Sequence, residues 1–286
     1  MSNIAFQGDP AIKQLALSRL RHHITADTFV IYPAWAEGKA NIIGAVVEAD
    51  DHQLYAEMLG YPLPLVMAVE SIVNAFRMKE GAEFAEAWLE QTPVGADLSQ
   101  VVAQILASIL EEPALVALTR GHEGLEQSRL SVIALHRRML AGEEPDRREW
   151  KLARLAAVAA TDTVTDDSFL RAAGAIIEAA AWPGTMRTVL RDTLGARGGL
   201  ETKQVMQEID WTEADESRVF KIVSGAEGQL TELSGLERVY ALLEADDPKL
   251  PPRFRERVRQ YEKLGAAYKA IGWKIVKFLE QAPVRS

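Results

Sequence analysis

Asp97-Leu-Ser-Gln-Val-Val-Ala-Gln-Ile-Leu-Ala-Ser-Ile-Leu110 is the stretch that decides the fold class. Leu98, Val101, Val102, Ile105, Leu106, Ile109 and Leu110 fall at the spacing that gathers apolar side chains on one face of an α-helix. The same texture returns, with interruptions, to the C-terminus. It predicts a mainly α protein: a multi-helix bundle or irregular helical array, with one small N-terminal β-hairpin.

On either side of this stretch, Pro64 to Met78 and Ala82 to Glu90 read as helices, and so do Glu123 to Leu140 and Arg147 to Thr161, with Pro93, Pro113 and Pro145 in the breaks. Asp50-Asp51-His52-Gln53 has the look of a cap, Asp50 standing three residues before Gln53, for a short helix closed by Gly60. Ahead of it lies the β signal. Phe29-Val30-Ile31-Tyr32 and Ile42-Ile43 with Val46-Val47 are β-branched and aromatic, and Glu37-Gly38-Lys39 supplies the turn between two expected arms. Asp9-Pro10 opens the first helix, expected to run to about Thr25.

Toward the C-terminus, a helix beginning near Asp166 should end at Trp182-Pro183, and another from Thr185 should stop at Gly195-Ala-Arg-Gly-Gly199. The alanine-rich runs Ala153 to Ala160 and Ala172 to Ala181 predict two helices that cross closely. Thr212 with Asp215 and Ser234 with Glu237 read as capping boxes within three short helices, before Pro251-Pro252 opens the longest helix. Its Phe254, Val258, Tyr261, Gly265, Tyr268, Gly272, Ile275 and Leu279 form a coiled-coil-like seam. The expected division is a helix and hairpin module over residues 1–112 and a helical domain over 113–286, which can also be continuous.

The chain has 286 residues, 48% of them hydrophobic, enough for a substantial core. It has no cysteine, which removes disulfides, thiolate ligands and a Cys nucleophile together. Every long apolar run is broken by charge, so neither a membrane span nor a cleaved leader is expected, and a cytoplasmic location fits. Formal charge is −9, yet Lys249 to Ser286 carries ten Lys or Arg against three Glu. An acidic body argues against wrapping nucleic acid over a broad surface, while the basic tail complements that body or meets an anionic partner.

Residues Asp9 to roughly Leu110 resemble a group of uncharacterised bacterial proteins. The resemblance is carried by Asp9-Pro10, Trp35, Gly38-Lys39, Gly44, Asp51-His52, Tyr55, Leu59-Gly60, Pro62, Glu70, Trp88 and above all Pro93-Val-Gly-Ala-Asp-Leu-Ser99. The pattern departs after Glu70, where Ser71, Asn74 and Ala75 replace the group's acidic and aromatic residues. What the resemblance implies is an N-terminal module; it brings no mechanism.

No Gly-rich phosphate loop, H-E-x-x-H or nucleophile elbow occurs, so the sequence implies no cofactor. His52 is the leading catalytic candidate, because the first turn of a helix lowers an imidazole pKa and keeps it neutral. Asp51, Lys39 and Tyr55, with Glu70 near, complete a polar cluster of the kind used in proton transfer, against the plainer reading of a cap and hairpin joined by hydrogen bonds. Arg187, Arg191 and Arg197 are ligand-binding candidates, able to clamp a phosphate or carboxylate, against ordinary C-capping. His23 with Asp27 reads as a local ion pair and His136 as a surface residue. No three histidines have zinc spacing, and no metal is expected.

Two classes of function follow. The first is an interaction or scaffold protein, using the hairpin module and the C-terminal helix toward a protein partner or a second copy. The alternative is an enzyme or a small-molecule or anion binder with its site around Asp51 and His52.

Overall fold

The computed structural model describes residues 3–165, 167–209, 211–226, 233 and 235–284. They form fourteen helices and one two-stranded antiparallel sheet. In chain order these are α1 (Pro10–Thr25), β1 (Trp35–Ala36), β2 (Lys39–Ala40), α2 (Gly44–Val47), α3 (His52–Leu59), α4 (Leu63–Val73), α5 (Met78–Glu90), α6 (Val101–Leu110) and α7 (Pro113–Thr119). There follow α8 (Glu123–Leu140), α9 (Arg147–Asp162), α10 (Ser168–Ala180), α11 (Val189–Glu208), α12 (Glu213–Gly225), α13 (Gly235–Asp246) and α14 (Leu250–Glu280). Among the described residues no single helix is long and apolar enough to cross a membrane. The chain divides into two compact units, residues 1–199 with 267–286 and residues 200–266, so both sides of position 112 share the first.

In the larger unit the hairpin forms at the expected turn, where Glu37 and Gly38 both have positive φ, the backbone a two-residue loop demands. Its arms are far shorter than expected. Phe29 pairs in parallel with Ala40 instead of forming an antiparallel arm, and Val46 and Val47 are helical. Asn41 causes the change: its Oδ1 accepts from the N–H groups of Ile43 (2.8 Å) and Gly44 (3.3 Å), giving the backbone a local alternative to the ladder. Gly44 opens α2 where a side chain would run into the Ala34 carbonyl.

Asp51, not Asp50, caps α3, accepting from Leu54 N–H at 2.9 Å. The helix expected to begin at Asp97 starts at Val101, because the preceding backbone is engaged elsewhere. Ala5 N–H donates to Ala96 O, Leu98 N–H to Asn3 O and Asp97 N–H to Pro283 O. The segment Pro93 to Ser99 thus clasps residues 3–5 and 283–284 together. Pro113, expected in a break, instead sits at the first position of α7.

An aromatic core fills the space between α3, α4 and α5: Tyr61 stacks on Trp88 at 5.8 Å and Phe76 on Phe84 at 4.8 Å. Gly272 of α14 meets this core, for a Cβ there would lie 2.7 Å from Ile72 Cγ2 and 3.2 Å from Phe84 Cε2. The alanine-rich α9 and α10 pack together, with Gly174 against Thr161 and Ala157 and Ala173 fully buried. Helix α11 runs straight through the glycine stretch expected to end it. Val189, Leu190 and Leu194 are buried, Tyr268 closes over Gly198, and the Tyr268 hydroxyl donates to Leu194 O at 3.2 Å. This packing offsets the roughly 1 kcal/mol that each helical glycine costs.

In the smaller unit Trp211, Val219, Leu243, Leu250 and Phe254 form the core. Thr212 and Asp215 make the expected capping box of α12. Ser234, the other expected cap, lies outside the described residues.

Candidate functional site

The four residues expected to cluster at the hairpin have separate roles. Asp51 is occupied as the cap of α3, and Lys39 is exposed on the hairpin turn. Tyr55 is wholly buried, its ring edge-on to Tyr61 at 6.0 Å and its hydroxyl beside the Trp88 indole but outside hydrogen-bonding geometry. His52 turns to Glu70 on α4, with Nε2 and Oε2 2.9 Å apart, and Asn41 Nδ2 donates to the other Glu70 oxygen at 3.1 Å.

That chain of three side chains joins Asn41, the residue after β2, to α3 and α4, and it reverses the expected direction of the His52 pKa. The hydrogen bond with Glu70 raises it against the effect of burial, Asp50 helps, and Arg187 opposes. The helix-end field that would have lowered it is outweighed by a carboxylate in direct contact. Glu70 is correspondingly held below the usual carboxylate range by His52.

The three arginines expected as a clamp have three destinations. Arg191 pairs with its neighbour Asp192, Arg197 with Glu112 on the approach to α7 at 2.7 Å, and Arg187 is exposed within electrostatic reach of His52. His23 meets Thr28 Oγ1 at 2.8 Å, whereas Asp27 has left the helix with φ of +57°. In the tail, Arg253 pairs with Asp215 and Arg257 with Glu216, both within the smaller unit, while Lys269 pairs with Glu80 in the larger. Much of the basic surplus is thereby neutralised inside each unit.

A further group of cations lies on α9. Arg147, Trp150, Lys151 and Arg154 stand at i, i+3, i+4 and i+7 on one helical face. With the turn after α10, from Ala181 to Met186, they line a cavity of about 530 Å³. Among the described residues none of these three cations meets a carboxylate. The Arg154 guanidinium carbon lies over the Trp182 ring, 4.3 Å from its centroid.

Trp150 is 3% exposed, and its indole N–H has no acceptor among the described residues. Its ring packs 4.9 Å from that of His136, which is buried and not on the surface as expected. His136 Nε2 donates to Ala180 O at 2.9 Å, the last residue of α10, and desolvation pushes its pKa down to about 4. A neutral histidine therefore fastens α8 to the end of α10 and so fixes the wall carrying Trp182.

Sequence reasoning passed over this site because its residues are scattered over two helices and a turn, and each alone reads as helix surface or rim. The available signal was the i, i+4, i+7 spacing of three cations around a tryptophan in an acidic chain. No protein-family model matches the chain, and neither does any curated protein or solved structure.

Proposed function

We propose that the protein is a helical binding protein that recognises an anionic ligand in the α9 cavity. The reading combines the two classes open from sequence, interaction protein and anion binder, and moves the contact from the hairpin to α9. The observation that carries it is the set of three cations that, among the described residues, have no carboxylate partner and stand beside two indoles. In a chain with 41 acidic and 32 basic residues, counter-charges are plentiful, and Arg191, Arg197, Arg253 and Arg257 use them. Three cations held along one cavity are the usual electrostatic footprint of a site for negative charge. Proton transfer at the hairpin has less support, since Asp51 and Tyr55 are committed to a cap and to the core.

The test is calorimetric titration with inorganic pyrophosphate and with ADP at low ionic strength. Saturable binding of at least one is expected, weakening as NaCl is added and lost when Lys151 and Arg154 both become Glu. No saturable binding of either, or binding unchanged in that variant, contradicts the proposal.

A further inference from the structure

The anion-binding reading leaves the chemistry of the ligand open, and the walls of the cavity narrow it. A compact inorganic anion needs charge and hydrogen-bond donors only. Here the cations share the cavity with the indole of Trp182, half-buried and already holding a guanidinium against its face, and with the indole of Trp150. A flat, delocalised surface of this kind recognises another flat ring, because stacking on an aromatic face needs no particular hydrogen-bonding pattern.

Trp150 lines the cavity, and its buried indole N–H is a donor without an acceptor among the described residues, a requirement left open in the fold. Trp150 is 3% exposed, so the requirement is not met simply by contact with bulk solvent. The volume of about 530 Å³ falls within the range of cavities that take cofactor-sized molecules and is far larger than a single phosphate needs. Charge is laid out to match: Arg147 and Lys151 are exposed at the N-terminal end of the face, while Arg154, a turn further on, is half-buried at Trp182. Ring recognition and charge recognition are therefore offset along the cavity.

We infer that the α9 cavity takes a nucleotide-class ligand, a planar heteroaromatic ring bearing two or more negative charges, with the ring toward Trp182 and the anionic groups toward Arg147 and Lys151. This rests on the anion-binding reading and adds to it a requirement for the ring.

The experiment is isothermal titration of the full chain with ADP, pyrophosphate and adenosine separately, and with an oligothymidylate of fifteen nucleotides. ADP should bind at least about tenfold more tightly than either pyrophosphate or adenosine. Lys151→Gln should weaken ADP at least about fivefold with the melting temperature unchanged, since Lys151 is exposed. Trp182→Phe, which keeps a ring, should retain more affinity than Trp182→Leu.

Pyrophosphate binding as tightly as ADP, with both weakened by Lys151→Gln, would overturn the nucleotide inference while leaving the anion site standing. Failure of both anions to bind at millimolar concentration would overturn the two readings together. ADP binding indifferent to Lys151→Gln and Arg154→Gln combined would place its site elsewhere and overturn the inference, as would tight binding of the oligonucleotide without binding of ADP.

Discussion

Two histidines give the protein opposite responses to pH. His136 is buried neutral, with a pKa of about 4 against an ordinary value of 6.5, so between these values the unfolded chain binds the proton that the folded chain refuses. Stability therefore falls as pH drops through that window, by up to about 3 kcal/mol from this residue alone. His136→Gln keeps a donor for the Ala180 carbonyl without the titration. Denaturant unfolding from pH 7 to pH 4 should show a flatter profile for the variant, and an unchanged slope would remove His136 as the cause.

His52 works the other way. Its raised pKa means that its contribution is fully present below 6.5 and is lost as pH rises through the folded value. The lowered pKa of Glu70 keeps that partner's contribution present above 4.5 and loses it as pH falls through its own folded value. The pair should hold best between these limits. His52→Ala is expected to cost about 1 kcal/mol near pH 5.5, a modest figure because both side chains are partly solvated, and less above the raised pKa of His52. A cost that grows with pH would show the pair to be something other than an ion pair.

At the scale of the element, close approach at glycine decides several contacts. Gly272→Leu keeps the seam of α14 apolar but drives a side chain into Ile72 and Phe84. It should destabilise the protein by about 2 kcal/mol or more in thermal or denaturant unfolding; a stability equal to the native chain would contradict this packing.

Part of the seam was legible from its three-and-four spacing, since Phe254, Gly272, Ile275 and Leu279 are buried although Tyr261 is exposed; so were Asp9-Pro10, the Glu37-Gly38 turn and both ends of α8, each set by residues adjacent in the chain. What was not legible depended on partners far away. The glycines of α11 read as a stop, and only Tyr268 and the buried Leu190 and Leu194 explain why the helix continues. The β arm expected at Ile42 and Ile43 is the local exception, cut short by Asn41, whose side chain accepts from the N–H groups of Ile43 and Gly44; the pKa of His52 is set by Glu70, eighteen residues on. The α9 site belongs with these, because its charge pattern was visible in the sequence but its Trp182 wall was not.

For the whole molecule, the distribution of charge carries the functional argument. Part of the tail's surplus is met by acidic residues within each unit, while Arg147, Lys151 and Arg154 line a cavity with two indoles and have no carboxylate partners among the described residues. The six tryptophans make this directly observable. Each indole N–H gives its own signal in a nitrogen-correlated NMR spectrum, and Trp150→Phe and Trp182→Phe identify the two that matter. On addition of ADP at low salt, the signals of Trp150 and Trp182 should shift and saturate together while those of Trp35, Trp88, Trp211 and Trp273 stay in place. Signals that move neither with ADP nor with pyrophosphate, or that shift at the other four tryptophans and not at these two, would contradict an anion site on α9.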